Sequence, residues 1–278
     1  MIEINNLTFG YSKNRLLFHN LGLNLKTGNV YGLLGRNGAG KTTLLKIISG
    51  LLYPKSGICN VEGLASQLRI PQLMEDIYII PEEFYMPSIT IDKFISINGV
   101  FYKNFSQTDI DRLIREFNLP RDLKLSSMSY GQKKKFLIAF GIATNVKFLI
   151  LDEPTNGLDI PSKTQFRKVM AASLTEDRCI IISTHQVRDL ESVIDTIVIL
   201  EEGAIIFNQP TEKISQKLVF RNVKAEDPDD NILYYEEVLG GKFAILKNTD
   251  NEPETKVELE VLFNGVLSNP KLINEILN

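Results

Sequence analysis

Cysteine is scarce in this chain. Its 278 residues hold two, Cys59 and Cys179, too few for a disulfide framework or a four-ligand zinc site, and their scarcity fits a reducing compartment. The opening residues, Met-Ile-Glu-Ile-Asn-Asn, lack a basic stretch leading into an apolar one, so no signal peptide is read there. The longest apolar run, Phe136 to Leu151, is interrupted by Asn145 and Lys147 and falls short of the roughly 20 residues that a membrane helix needs. No repeat and no low-complexity segment is present. Charge of one sign is missing too: a net of −3 argues against a large nucleic-acid footprint. What is present is ordinary, 44% apolar and 23% charged residues, which excludes a disordered or fibrous chain. The expectation is a soluble cytoplasmic protein with room for one large domain or a domain plus an appendage.

The charge divides the chain. Residues 211–278 carry 8 Lys/Arg against 13 Asp/Glu, a net of −5, which leaves +2 for residues 1–210. A short acidic, turn-rich stretch, residues 225–230, falls in that tail. Motifs are dense before position 211 and absent after it, so the expected division is a main domain over 1–210 and an accessory region over 211–278. Within the main domain, Val30–Leu34, Phe148–Leu151, Cys179–Ser183 and Thr196–Leu200 are short apolar or β-branched runs of the kind found in buried parallel strands. Thr42–Leu52 has helical apolar spacing. Ile91, Phe94 and Ile95 also have it, and Ser106 with Asp109 has the form of a capping box, which places a helical insert over about 88–128. This alternation predicts an α/β fold with a mainly parallel sheet. The tail predicts three strands (Leu218–Lys224, Ile232–Glu236, Lys242–Lys247) and then a helix striped by Val257, Val261, Leu262 and Leu267, with Phe263 beside the stripe, giving a small α+β appendage.

One segment carries specific chemistry. Gly35, Arg36, Asn37, Gly38, Ala39, Gly40, Lys41 and Thr42, followed by Thr43, satisfy G-x-x-x-x-G-K-[ST] between a predicted strand and a predicted helix. Glycines let the backbone wrap round a phosphate, so that several N–H groups and the helix N-terminus point at the anion. Lys41 adds a full charge for the β- and γ-phosphates, and the Thr42 hydroxyl can ligate Mg²⁺. This predicts a nucleoside triphosphate site. About a hundred residues on, the run Phe148–Leu151 ends in Asp152 and Glu153. A strand before Asp-Glu-Pro is often only a strand end and a turn. In a doubly wound sheet, however, ligands sit at the carboxyl ends of strands, so downstream of a phosphate loop Asp152 is read as an Mg²⁺ ligand and Glu153 as the group that polarises an attacking water.

With these residues in that order, the chain resembles the nucleotide-binding domain of an ATP-binding cassette (ABC) ATPase, from about Ile2 to Pro210. The resemblance implies a P-loop NTPase with a mainly parallel sheet, an N-terminal antiparallel β part and a helical insert. It places Tyr11 where an aromatic stacks on adenine. It likens Met128-Ser129-Tyr130-Gly131-Gln132 to the family signature, Asn156-Gly157-Leu158-Asp159 to the D-loop, and His185, one of two histidines in the chain, to the switch histidine. It further implies that two such domains sandwich two ATP molecules. Ser129, Gly131 and Gln132 at a helix start would then face the γ-phosphate of the opposite site, with His185 on that phosphate in its own site and Asp159 at the seam. Lys133-Lys134-Lys135 reads as a solvated helix face or support for the phosphate field.

The sequence departs from the family pattern at two places. The signature most often reads Leu-Ser-Gly-Gly-Gln, and here Met128 and Tyr130 replace Leu and the first Gly. At the Q-loop, Glu82 stands where most members have Gln; it lies 41 residues past Lys41 and follows an apolar strand, whereas Gln72 lies only 31 past. A carboxylate can replace an amide oxygen as an Mg²⁺ ligand, so Glu82 joins Thr42 and Asp152 in the expected metal set. Pro81-Glu82-Glu83 is similar to the Q-loop of ABC-2 type drug and antibiotic export ATPases. The resemblance thus implies an ATP-hydrolysing subunit, homodimeric or pseudo-symmetric heterodimeric, that powers transport, export favoured, through a separately encoded transmembrane permease at the inner face of the membrane. The resemblance places the permease grip on the insert, near residues 90–118; Phe84, Tyr85 and Met86, leading into it, are either an exposed contact cluster or core residues. The alternative is a non-transport ABC ATPase acting on ribosomes or DNA, but the ribosomal kind usually carries two cassettes and the DNA-repair kind a coiled-coil or zinc insert.

Overall fold

The computed structural model describes residues 1–12, 15–224, 231–239, 241–249 and 252–278. Its first strands alternate buried and exposed side chains, as half-buried antiparallel strands do: β1 (Ile2–Phe9) and β2 (Phe18–Leu25) pair with Ile2 opposite Leu25 and Ile4 opposite Leu23. By contrast, β3 (Asn29–Leu34) is buried from Val30 onward and runs through the glycine-rich turn into α1 (Lys41–Ile48). β4 (Ser56–Val61) and the short β5 (Leu64–Ala65) complete an antiparallel sheet in the order β2-β1-β4-β5, whose apolar face packs on α1. A single helical turn, α2 (Pro71–Met74), leads into β6 (Ile77–Ile80).

The helical insert holds α3 (Ile91–Asn98) and α4 (Gln107–Glu116), and α5 (Tyr130–Ala143) follows it. Hydroxyl caps start the first two: Thr90 Oγ1 accepts from the Lys93 N–H at 3.4 Å and Ser106 Oγ from the Asp109 N–H at 3.1 Å. A Thr90–Lys124 bridge closes the base of the insert. Aromatic packing joins it to the sheet, because Phe140 on α5 meets the rings of Tyr78, Phe94, Tyr102, Phe105 and Phe136 at centroid distances of 5.2–6.3 Å. Truncating a buried Phe in such a cluster costs about 3–5 kcal/mol.

β7 (Phe148–Asp152), α6 (Ile160–Ser173), β8 (Cys179–Thr184), β9 (Thr196–Glu201) and β10 (Ala204–Pro210) complete the main sheet. Its order is β10-β9-β3-β8-β7-β6, parallel except for the antiparallel edge strand β10. β7 and β8 are buried at every position, which is why they read as unbroken apolar runs rather than alternating ones.

After Pro210 come α7 (Thr211–Lys217), β11 (Leu218–Val223), β12 (Ile232–Val238) and β13 (Gly241–Lys247), the strands forming an antiparallel sheet in the order β11-β13-β12. The expected single final helix is two, α8 (Leu259–Ser268) and α9 (Pro270–Leu277). The break falls where Pro270 opens a new first turn, with Asn269 Oδ1 accepting from the Leu272 N–H at 3.2 Å. Ile214, Leu218, Ile245, Leu262 and Ile273 share one apolar cluster with Ile197, Ile199 and Phe207 of the main sheet. The charge changes sign near residue 210 while the apolar packing continues across it. The acidic stretch 225–230 lies outside the described residues. Among the described residues, no helix is long and apolar enough to cross a membrane.

Candidate active site

Parallel register brings four strand ends together. Leu34 pairs with Thr184, Asp152 with Ser183 and Ile80 with Leu151, so the phosphate loop after β3, His185 after β8, Glu153 after β7 and Glu82 after β6 all emerge on one edge of the sheet. There a cleft of about 480 Å³ is lined by Tyr11, Asn37, Gly38, Gly40, Lys41, Thr42, Thr43, Glu82 and Glu153 together with Ser12, Arg15, Leu16 and Leu17. Gly40 closes the loop with φ 109°, and a Cβ there would lie 2.7 Å from the Phe18 ring; only glycine fits. Arg36 instead points outward to Glu201 at 3.4 Å, and Ala39 belongs to the core.

Lys41 is 7% exposed; its Nζ donates to Gly35 O at 2.7 Å and Arg36 O at 3.3 Å and lies 4.0 Å from Glu153 Oε1. Burial holds its ammonium pKa below the usual lysine range, while Glu153, Asp152, Glu82 and Glu201 pull it back up. Thr42 Oγ1 donates to Asp152 Oδ2 at 2.7 Å, and Ser183 Oγ donates to Asp152 Oδ1 at 2.5 Å. Glu153 has a left-handed backbone, φ 47°. Its Oε1 lies 2.8 Å from His185 Nδ1, and its buried Oε2 has no hydrogen-bond partner among the described residues. Tyr11 is 70% exposed, edge-on to Phe9 at 5.1 Å, with its hydroxyl 2.9 Å from Thr43 Oγ1, which leaves a ring face open at the mouth of the cleft.

The Thr42 hydroxyl and the Asp152 and Glu82 carboxylates offer only oxygen donors, which fits a hard cation such as Mg²⁺. Among the described residues no group of three or more His, Cys, Asp or Glu side chains could hold a metal alone. A cation here would therefore share few protein ligands with substrate phosphates, as Mg²⁺ does. Glu82 is positioned twice: its Oε1 accepts from Asn156 Nδ2 at 3.0 Å and its carbonyl accepts from Tyr130 Oη at 2.8 Å.

The signature-like residues lie elsewhere. None of Ser129, Gly131 and Gln132 lines the cleft. Ser129 caps α5, its Oγ accepting from the Gln132 N–H at 3.2 Å while Gln132 Oε1 accepts from the Ser129 N–H at 2.9 Å, a reciprocal cap that fixes the helix start. Asp159 is exposed and caps α6 through the Ser162 N–H at 2.9 Å; the Ser162 side chain and then that N–H hold its carboxyl below the usual carboxylate range. Tyr130 stacks on Phe84 at 5.3 Å, and its ring occupies the space where a Cβ on Gly157 (φ 77°) would fall, 2.7 Å away.

Burial decides two expectations that the sequence left open. Lys134 is no part of a solvated face: it is 0% exposed, between the partly exposed Lys133 and Lys135. Met86 is likewise buried, at 5%, and Phe84 is committed to Tyr130, so only Tyr85 of that trio is fully exposed. Ser183, which orients Asp152, was not singled out; its place directly opposite Asp152 in the parallel register is the signal that marks it.

A family model described as ABC transporter matches residues 18–156. The chain is 26% identical over 284 residues to the ABC transporter ATP-binding protein YtrB of Bacillus subtilis, covering 99% of this chain and 94% of that one. It is 31% identical over 224 residues to the bacitracin transport ATP-binding protein BcrA of Bacillus licheniformis, covering 78% and 72%. Among solved structures, an ATP-binding subunit of an ABC transporter superposes with a TM-score of 0.70 at 25% identity, covering 77% of this chain and 91% of that one.

Proposed function

The chain belongs to the ABC transporter family, and on that footing we propose that it hydrolyses ATP at the cleft between the phosphate loop and Glu153 to drive a membrane permease. One observation carries the chemical part: the carboxyl ends of the parallel strands bring Thr42 onto Asp152 and set Glu153 between Lys41 and His185, each pair within hydrogen-bonding or ion-pair reach. In this reading Lys41 and the loop N–H groups hold the β- and γ-phosphates, and Tyr11 receives the adenine face. Thr42, Asp152 and Glu82 hold Mg²⁺, which when bound neutralises charge on the phosphate oxygens. Glu153 Oε2 takes a proton from the attacking water, and His185, on Oε1, fixes the carboxylate and reaches the γ-phosphate.

The signature residues lie outside this cleft, with Ser129 and Asp159 exposed, which supports a dimer in which Ser129, Gly131 and Gln132 of each subunit complete the other's site, with Asp159 at the seam. The dimer is a homodimer or pairs this chain with a similar one. The permease contact lies on the insert, at a groove of about 520 Å³ bordered by Tyr78, Phe94, Val100, Phe101 and Tyr102, with Val100 76% and Phe101 66% exposed. Of Phe84–Met86, which lead into the insert, only Tyr85 is exposed. Docked there, the subunit sits peripherally at the inner face of the membrane. The bacitracin transport relative and the Glu82 Q-loop favour export, and the transport proteins among the relatives favour this reading over action on ribosomes or DNA.

The test is to capture Glu153→Gln with Mg²⁺ and ATP from detergent-solubilised native membranes. A polytopic membrane protein is the expected companion; ribosomes, DNA-repair proteins or nothing would remove the transport claim. A Phe101→Asp variant should lose that companion while keeping its ATPase activity.

A further inference from the structure

Burying an ammonium group is unfavourable unless hydrogen bonds and opposite charges compensate, and Lys134, at 0% exposure, is compensated in a specific way. Its Nζ donates to the main-chain carbonyl of Glu153 at 2.5 Å and to that of Asn156 at 3.4 Å, and it lies 3.5 Å from Tyr130 Oη. Tyr130 Oη donates in turn to the Glu82 carbonyl, and Glu82 Oε1 accepts from the Asn156 side chain. One cation therefore closes a ring through the loop after β6, the start of α5 and the segment after β7. Burial lowers the ammonium pKa, and Glu82, Glu153 and Asp152 raise it again.

The ring matters because of Glu153. A glutamate at φ 47° holds a backbone conformation that its surroundings must enforce. Its N–H is fixed by the carbonyl and Oγ of Ser183, each at 3.1 Å. Its carbonyl is fixed by Lys134. With both peptide groups pinned, the side chain is aimed at His185 and the cleft.

We propose that Lys134 is a positioning residue for hydrolysis: it fixes the carbonyl side of Glu153, so that the carboxylate stands where the attacking water must be met. This rests on the reading of Glu153 as the base. A residue that only positions the base affects the rate of the chemical step and leaves nucleotide binding intact.

The experiment compares wild type, Lys134→Met, Lys134→Gln and Glu153→Gln as purified full chains, measuring kcat, KM, affinity for a non-hydrolysable ATP analogue, and thermal melting. Met fills the volume without a donor; Gln restores one donor. Lys134→Met is expected to lower kcat about 10- to 100-fold while analogue affinity stays within about threefold of wild type, and Lys134→Gln to recover part of the loss. An unchanged kcat in Lys134→Met overturns the proposal, as does a parallel loss of rate and affinity, or failure of both variants to fold. If only the Met variant fails to fold, Lys134→Gln decides: reduced kcat with affinity kept supports the role, and wild-type kcat overturns it. Turnover retained in Glu153→Gln would instead overturn the base assignment, whereas an inactive Glu153→Gln beside an unaffected Lys134→Met overturns only the role of Lys134.

Discussion

Lys41 and Glu153 are 7% and 4% exposed, whereas Ser129 and Asp159 stand in solvent. The first pair belongs to a set of groups that bind one another inside this chain: Thr42 to Asp152, Asp152 to Ser183, Glu153 to His185. The second pair is bonded within its own helix starts, to the Gln132 and Ser162 N–H groups. Both halves are preorganised, but by different means. Bonds between strand ends hold the cleft residues, whereas Ser129 and Asp159 are held by caps within their own helix starts, and the helix that Ser129 opens is tied back to the cleft through Tyr130 and Lys134. On the proposed reading the first receives a ligand within the chain, and the second, an exposed helix start, meets with its dipole an anion bound by another subunit.

Four substitutions sharpen that contrast, from the largest effect to the smallest. Glu153→Gln should slow turnover at least about 100-fold by removing the proton acceptor while equilibrium ATP binding is retained; normal turnover would move the base to His185. Lys41→Ala should weaken ATP binding about 100-fold, or about 2.7 kcal/mol, in a direct titration, and near-normal affinity would refute the phosphate-loop assignment. Ser129→Ala should leave that affinity within about threefold yet lower turnover about tenfold, because the donor it removes acts on a neighbour's nucleotide. Loss of binding by the isolated chain would erase the distinction between the halves. Tyr11→Ala, which removes an exposed ring face, should weaken ATP binding about fivefold in the same titration, and unchanged affinity would remove Tyr11 from the site.

The two halves also differed in how legible they were in the sequence. The phosphate loop and the Asp152-Glu153 strand end announce themselves, since each is a contiguous run whose chemistry is local. Parallel strands β3, β7, β8 and β9 were legible for the same reason: burial on both faces leaves unbroken apolar runs. The sheet order was not, nor was Ser183 as the partner of Asp152, because those depend on which strands neighbour each other. A run of three lysines does not say whether it is solvated or supports the phosphate field; placement on α5 turns the middle one inward while its neighbours stay at the surface. Whether Met86 is core is equally hidden in the sequence, its burial being set by packing of the insert. In the tail, the strand patterns were visible, but α7 was not, since Thr211–Lys217 buries only Ile214 and Ser215 and shows no apolar stripe.

If one chain holds the catalytic half of a site and lends its signature half to another, ATP must join two chains. Light scattering of Glu153→Gln with Mg²⁺ and ATP should then give a species near twice the 31.4 kDa of the chain that forms only with ATP and is lost with Ser129→Arg. A species that stays at the mass of one chain, while the wild-type monomer hydrolyses ATP at full rate, would contradict it.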